Sequence, residues 1–260
     1  MSDIQLEEPT WIQPDWPAPA GVRAAVTTRW GGVSAAPYDQ LNLSLGVGDR
    51  DAAVLANRRR LLGSLALTGE PQWLTQVHGT QLVVAQRDGR TRTADGCYTR
   101  ESGLACAVLS ADCLPVLICN PAASQVAAVH AGWRGLSAGI LARALGCFGE
   151  PPEQLLVYLG PALSQSRFEV GVEVLEAFFQ QAHTATHAEK VAQAFQPSAR
   201  PLHFCADLYA LARAELQALG VSQIHGGGFC TYAEPERFYS YRRDGITGRM
   251  ASLIWINAGR

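Results

Sequence analysis

Short apolar runs of strand length recur along this chain, and several of them are continuous rather than alternating. Continuous runs of this kind are typical of strands that are buried on both faces. The runs cover Val22–Thr27, Leu82–Ala85, Leu104–Leu109, Leu114–Cys119, Val126–Val129, Leu155–Leu159 and Leu253–Ile256. The sequence therefore predicts sheets that other layers of structure must cover.

Amphipathic helical patterns lie between these runs. Apolar residues keep to one face over 54–65, 136–145, 174–179 and 208–219, with Asp207 placed to cap the last helix and Gly220 to end it. Because strands and helices are interspersed, the predicted fold class is α/β (or α+β) with mixed buried sheets. No repeat or linker divides the chain, so we expect a single domain over residues 1–260.

Composition narrows the function classes. The 260 residues contain 21 Lys plus Arg and 23 Asp plus Glu, a net charge of −2, which leaves no basic excess for nucleic acid or an anionic membrane. No apolar run approaches the ~18 residues of a membrane span, and the acidic start lacks a signal-peptide pattern. The seven cysteines are odd in number and form no CxxC pair, which is typical of a reduced intracellular protein. We therefore expect a cytoplasmic protein without nucleic-acid or membrane partners, and the sequence leaves the oligomeric state open.

Several common catalytic motifs are absent or poorly placed. The sequence contains neither a Walker motif nor GxGxxG, and it lacks the HxE…PCxxC signature of zinc deaminases. Residues 135–139 match GxSxG, but the predicted strand ends too early for Ser137 to sit on a nucleophile elbow. His183 and His187 are spaced to chelate a metal on one helix face, yet their segment offers no nearby third ligand.

Two histidines and one cysteine stand out because each lies at the end of an apolar run. His78 and His130 are followed closely by glycine, and Cys113 lies between two strands. Polar residues at strand ends reach the rim of a sheet, where α/β proteins build their sites. Two imidazoles and a thiolate make three zinc ligands with a fourth position open, although a buried cysteine and two hydrogen-bonded histidines would give the same pattern. The separations in sequence are too long for a zinc finger, so the fold must assemble any such site.

The residues around these positions resemble one family along nearly the whole chain. The matching strings are TTRWGGVSAAPYDQLNLSLGVGD (27–49), TQVHGT (75–80), ADGCYT (94–99), SADCLPVLICNP (110–121), VAAVHAGWRGL (126–136), GPALSQSRFEVG (160–171) and FCTYAEPERFYSYRRDGITGRMASLIWI (229–256). They resemble the YfiH-like, or laccase-domain, proteins, which are also labelled polyphenol oxidases, purine nucleoside phosphorylases and peptidoglycan editing factors.

This resemblance implies a metal site, a fold and an activity. The family's metal ligands correspond to His78, Cys113 and His130, and the metal is usually taken to be zinc. The implied fold is a layered α/β/β/α arrangement, similar to the catalytic domain of a deamidating cysteine-hydrolase toxin. The implied reactions are phosphorolysis of purine nucleosides and deamination of adenosine. A role in correcting peptidoglycan precursors is implied for bacteria.

Phosphorolysis requires groups that bind phosphate and nucleoside. Arginine side chains, with the loop amides of Gly31 and Gly32, are suited to an anion, and two amides are suited to a base or ribose. The candidates for substrate contacts are Arg29, Arg134, Arg242, Arg243, Asn42 and Gln76. Asp112 is a candidate general base or orienting residue, provided that the chain turns between it and Cys113.

Three alternatives stay open at this stage. A copper polyphenol oxidase would need a weak axial ligand, for which Met250 is the only internal methionine, and six histidines are too few for a multicopper cluster. A cysteine hydrolase or amidase would use Cys113 as nucleophile and His130 as its base. A structural zinc would normally have a fourth protein ligand, and no matching motif supplies one.

Overall fold

The computed structural model describes residues 8–258, which form two large sheets with helices on the outside. The helices are α1 Asp51–Ser64, α2 Trp133–Ser137, α3 Ile140–Leu145, α4 Val172–Gln180, α5 Ala185–Gln193, α6 Leu208–Ala218 and α7 Tyr241–Asp244, with short 3-10 turns at Pro152–Gln154 and Gln165–Arg167. The strands are β1 Trp11–Ile12, β2 Val22–Thr27, β3 Leu74–Thr75, β4 Leu82–Val84, β5 Arg92–Thr93, β6 Gly96–Thr99, β7 Ala105–Ser110, β8 Leu114–Cys119, β9 Val126–Ala131, β10 Leu156–Leu159, β11 Glu169–Gly171, β12 Phe195–Pro197, β13 His203–Ala206, β14 Gln223–Gly226 and β15 Met250–Ile256.

The two large sheets are joined where β7 ends and β8 begins. Sheet A has the order β1-β2-β15-β7 and is antiparallel, with Leu253 of β15 opposite both Ala25 and Ala107. Sheet B has the order β14-β10-β8-β9-β6-β4, with the β8–β9 pair antiparallel and both edge strands added in parallel. Smaller sheets are formed by β11-β13-β12 and β3-β5.

The side chains on the two faces of each sheet define the layers. In β15, Ile254 and Ile256 lie in the core shared with sheet B, while Leu253 and Trp255 lie in a second core with Leu61 of α1. The far face of sheet B forms a third core with α2, α3, α4 and α6. The sequence of layers is therefore α1, sheet A, sheet B and the helices α2 to α6. This confirms the expected α/β/β/α arrangement and explains why the central strands are apolar on both faces.

The predicted elements are largely confirmed, with informative shifts at their ends. Strands β2 and β8 have the predicted bounds, and Asp207 caps α6 by accepting the backbone N–H of Ala210 at 3.0 Å. The helix predicted over 136–145 was wrong as one unit, because Gly139 with φ of 84° separates α2 from α3. Strand β9 continues to Ala131, so His130 lies inside the strand rather than after it.

Nothing in the described part of the chain spans a bilayer as a helix. The longest helix within residues 8–258 is α1, with 14 residues, and no helix there combines the required length with an apolar character.

Candidate metal centre

The fold brings His78, Cys113 and His130 together at the junction of the two sheets. His78 lies in the loop after β3, Cys113 in the turn between β7 and β8, and His130 in β9. The Sγ atom of Cys113 is 3.8 Å from Nε2 of His78, the two imidazole rings lie 4.9 Å apart, and all three potential ligand atoms lie within 4.8 Å of one another. The metal ligands implied by the resemblance therefore form one cluster.

The backbone adopts unusual conformations at His78 and at Asp112, the residue before Cys113. His78 has φ of 59° and Asp112 has φ of 96°, in the left-handed region that non-glycine residues rarely adopt. Such residues cost about 1–3 kcal/mol each and persist only where the surroundings hold them. A turn at Asp112 is also the condition under which Asp112 and Cys113 can both approach the site, and the structure has this turn.

Asp95, which precedes β6, holds two of the three ligands from behind. Its carboxylate accepts the backbone N–H groups of Val77, His78 and Gly79 at 3.2, 2.9 and 2.7 Å. Its Oδ1 also lies 3.0 Å from Nδ1 of His130. This contact places the imidazole proton on Nδ1 and leaves Nε2 free to bind a metal, as acidic partners of ligating histidines commonly do. The sequence did not single out Asp95 as a functional residue. It lies in the string ADGCYT, directly before a strand, whereas His78 lies after one.

The cluster is electrostatically coupled. Burial by itself would raise the pKa of Cys113, but the charge on His130 and hydrogen bonds to both imidazoles lower it to about 6. Burial would likewise lower the pKa of His130, but Cys113 and Asp95 raise it to about 9. Burial would raise the pKa of Asp95, yet hydrogen bonds from His130 and the backbone keep it below its usual value. These opposite shifts of the two pKa values favour a thiolate beside an imidazolium when no metal is bound, and a metal on Nε2 would replace the second ring proton of His130.

The space between the ligands fits a metal ion. A Cβ added to Gly132 would lie 3.0 Å from Cδ2 of His78, 3.1 Å from Sγ of Cys113 and 3.6 Å from Cε1 of His130. A tetrahedral zinc separates an S and an N ligand by about 3.6 Å, since its bonds are about 2.3 and 2.0–2.1 Å long. The 3.8 Å between Cys113 and His78 is close to that value. The donor set and the small cradle therefore fit zinc with an open fourth position.

Each carboxylate oxygen of Asp112 accepts one hydrogen bond from the protein. Its Oδ1 accepts the hydroxyl of Thr231 at 2.6 Å, and its Oδ2 accepts the backbone N–H of Arg242 at 2.6 Å. The carboxylate thereby ties the segment before β15 to the turn that carries Cys113. Each oxygen keeps a second lone pair, and the role of Asp112 as general base stays a prediction.

Three predicted substrate contacts form internal hydrogen bonds. Arg29 donates to the carbonyls of Asp39 and Pro235, and Gln76 makes two hydrogen bonds with the backbone of Leu109. Asn42 is buried, and its amide makes four hydrogen bonds, one of which accepts the backbone N–H of Arg249. These side chains position loops around the cluster in the structure.

The other three predicted substrate contacts are arginines near the edge of the cluster. Arg134 is exposed on α2 and stacks on Trp133 with 4.4 Å between guanidinium and ring. Arg242 is exposed and donates to the carbonyl of Glu169 at 3.0 Å. Arg243 donates to the carbonyls of Thr231, Tyr232 and Phe238 and to Asp244, so it anchors its own loop. Of the three, Arg134 and Arg242 keep donors toward solvent.

Arg249 is a cation that the sequence reasoning missed. The pairing of Met250 with Ser110 places Arg249 beside the turn of Asp112 and Cys113. Burial lowers the pKa of Arg249, while the charges of Cys113 and Asp112 oppose that effect. Next to it, the buried hydroxyl of Thr247 has no hydrogen-bond partner within residues 8–258. The only sequence signal for Arg249 was its place in the TGR pattern of the C-terminal family string.

The GxSxG match has a packing explanation. A Cβ on Gly135 would lie 2.7 Å from the carbonyl oxygen of Gly79, so glycine lets α2 approach the loop that carries His78. Ser137 is the last residue of α2, and its hydroxyl donates a hydrogen bond to the carbonyl of Arg134 at 3.3 Å. It does not sit on a strand-to-helix elbow.

These layers and this cluster define a class of α/β/β/α proteins with two imidazoles and a thiol at the junction of two sheets. Residues 23–257 match the family model described as "Multi-copper polyphenol oxidoreductase laccase", and the chain belongs to this family. The YfiH-like resemblance in the sequence is thereby confirmed.

Relatives and solved structures agree over nearly their full lengths. A protein of Pseudomonas aeruginosa named purine nucleoside phosphorylase is 52% identical, covering 95% of this chain and 98% of its own. The Escherichia coli purine nucleoside phosphorylase YfiH is 48% identical, over 94% of this chain and 98% of its own length. The crystal structure of Neisseria meningitidis protein NMB0706 superposes with a TM-score of 0.89 at 45% identity, covering 95% and 99%. That of YlmD from Geobacillus stearothermophilus gives 0.87 at 30% identity, covering 95% and 96%.

Proposed function

We propose that this protein is a zinc-dependent purine nucleoside phosphorylase that also deaminates adenosine. The observation that carries the proposal is the open cluster of His78, Cys113 and His130, in a chain whose full-length relatives are named purine nucleoside phosphorylases. Peptidoglycan precursors are a further substrate class that rests on the family resemblance. The cytoplasm is the compartment expected from the cysteine content.

The first role of the chain's own residues is to hold the site in shape. Asp95 fixes the His130 tautomer and the His78 loop, and Gly132 keeps the centre of the cluster clear. When bound there, a zinc ion would polarise a substrate oxygen or nitrogen, or activate a water for deamination.

The second role is to bind the phosphate that phosphorolysis consumes. We assign this to Arg249, because it lies beside the Cys113 turn next to the unpartnered Thr247 hydroxyl. Asn42 holds the backbone of Arg249 in place, and Arg249 Nη1 reaches the carbonyls of Thr247 and Gly248 at 2.9 Å. The remaining guanidinium donors suit a phosphate oxygen pair. Arg134 and Arg242 are the additional candidates at the edge.

The test is an incubation of protein of known metal content with adenosine, with and without phosphate, resolved by chromatography. Adenine and ribose 1-phosphate that form only with phosphate would support the phosphorylase, and inosine in either case would support the deaminase. Absence of both products with zinc-loaded protein would overturn the proposal.

A cysteine hydrolase or amidase is the second candidate, favoured by one observation. Cys113, His130 and Asp95 are arranged like a nucleophile, its base and an orienting acid, with the thiol already ionised at neutral pH. Removal of metal by a chelator separates the two candidates, because a thiolate–imidazole pair survives it and a zinc mechanism does not.

A copper oxidase has less support. The sulfur of Met250 already accepts the backbone N–H of Tyr239 at 3.1 Å in the core.

A further inference from the structure

A second group of metal-binding side chains lies outside the cluster described above. His183 and His187 flank the start of α5, and Glu215 lies on α6, which packs against α5. The segment of this histidine pair offers no third ligand of its own, and Glu215 from another segment completes the group. The missing ligand comes from a helix 28 residues further along the chain (215 − 187), which a local spacing cannot reveal.

The distances within this group match the edges of a metal polyhedron. Nε2 of His183 lies 3.2 Å from Oε1 of Glu215, and Nε2 of His187 lies 3.6 Å from Oε2. Tetrahedral zinc separates N and O ligands by about 3.3 Å, because its bonds to them are about 2.0–2.2 Å. The 3.6 Å contact is too long for a hydrogen bond but is compatible with a shared ion.

Burial explains why this carboxylate needs a cation. The side chains of His187 and Glu215 are only 3% and 9% exposed, whereas that of His183 is 43% exposed. A buried carboxylate is costly unless it is paired. The ion pairs of Glu215 are with the two imidazoles, which carry a full charge only when protonated.

We propose that His183, His187 and Glu215 form a second metal site, which binds a divalent ion of the zinc class and ties α5 to α6. Two imidazoles and one carboxylate are a known zinc donor set, and the exposure of His183 leaves the fourth position to water. The proposal is independent of the proposed function, since none of its residues lies in the first cluster.

Two hydrogen bonds must give way when the site is loaded. The first joins Nε2 of His183 and a carboxylate oxygen of Glu215 at 3.2 Å, and both of these atoms would become ligands. The backbone N–H of His183 lies 3.3 Å from Nδ1 of His187, at the long end of the hydrogen-bond range. A metal on Nε2 of a neutral imidazole moves the ring proton to Nδ1, where it faces this N–H. Loading therefore exchanges these two hydrogen bonds for coordinate bonds.

Cobalt(II) distinguishes the two sites because only the first contains sulfur. A thiolate–cobalt bond gives a charge-transfer absorption that nitrogen and oxygen ligands lack. Chelator-treated full-length protein would be titrated with cobalt(II) and followed by absorption and by equilibrium dialysis. We expect about two equivalents in the wild type, with only one of them producing the charge-transfer band.

Substitutions at the ligands of each site show which site binds which equivalent of cobalt(II). Cys113→Ala should bind about one equivalent without the charge-transfer band. His183→Ala and Glu215→Gln should each keep the band and bind the second equivalent at least tenfold more weakly. Glu189→Gln, an exposed acid on α5, and His203→Gln, on β13, are matched controls that should behave as the wild type. His183 is the more exposed ligand, so its replacement tests the site even if Glu215→Gln fails to fold.

Several results would overturn this site. Binding of a single equivalent by the wild type, together with the charge-transfer band, would do so, as would saturation of the second equivalent only at millimolar cobalt. Unchanged affinity of His183→Ala for the second equivalent would also reject it. None of these results bears on the incubation with adenosine, so the two proposals fail separately.

Discussion

Nδ1 of His130 lies 3.0 Å from Oδ1 of Asp95, and both side chains are buried. The same carboxylate accepts the backbone N–H of His78 at 2.9 Å, so one acid orients two of the three ligands. The geometry of the cluster therefore depends on a residue that would not itself touch the metal.

Asp95→Asn is expected to weaken zinc binding about 10–100-fold, the usual effect of losing an acidic partner behind a ligating histidine. An asparagine amide can donate to Nδ1 of His130, which would move the ring proton to the ligating Nε2. Competition with a chromophoric chelator measures the affinity. Asp88→Asn, an exposed acid paired with Arg92, is the control and should leave zinc affinity unchanged.

Alanine at His78, Cys113 or His130 is expected to abolish both metal retention and nucleoside turnover while the fold survives. The three residues come from different elements, and the cores around them are formed by other side chains. Metal analysis, circular dichroism and the adenosine assay would be run on each variant. Activity in metal-free Cys113→Ala protein would contradict both the zinc and the cysteine mechanisms.

Gly132→Ala is expected to expel the metal while the backbone stays in place. Gly132 has φ of −61°, which alanine adopts freely, but its methyl group would lie within 3.6 Å of all three ligand side chains. We expect at least a hundredfold loss of zinc affinity with little change in Tm of the metal-free protein. Gly149→Ala is the matched control, because nothing lies within 4 Å of its added Cβ.

Alkylation of metal-free protein should reveal the ionised thiol. The pKa of Cys113 is lowered to about 6, so the thiolate dominates above pH 6 and disappears as pH falls below it. Iodoacetamide labelling of Cys113, followed by mass spectrometry, should be half-maximal near that pH. An ordinary profile centred near pH 8–9 would contradict the coupling, and zinc should protect the residue throughout.

Arg249→Gln should separate the two reactions of the proposed enzyme. If Arg249 binds phosphate, KM for phosphate should rise about tenfold, equivalent to about 1.4 kcal/mol, while deamination in the absence of phosphate persists. Arg200→Gln, whose side chain is 65% exposed, serves as the control. Equal losses in both reactions would assign Arg249 to the shape of the site instead.

The sequence predicted most of the strands because residues buried on both faces leave a continuous apolar run, as in β2 and β8. Strand ends and family strings pointed to His78, Cys113 and His130, which the fold brings together, while their role as metal ligands stays a prediction. The sequence did not predict Asp95 or Arg249 as functional, because their roles depend on contacts between distant segments. The same reason applies to Asn42, whose amide supports a loop that follows it by about two hundred residues. Hydrogen bonds of this kind have no local periodicity.

The turn at Cys113 passes from sheet A to sheet B, and His78 and His130 come from a separate loop and strand. In the unfolded chain these three groups lie far apart. A metal that needs all of them therefore binds the folded state much more tightly than the unfolded state. Each tenfold rise of free metal above Kd would then add about 1.4 kcal/mol to the free energy of unfolding. If the proposed metal binds, its supply would therefore determine how much of this protein stays folded, as well as how fast the proposed enzyme works.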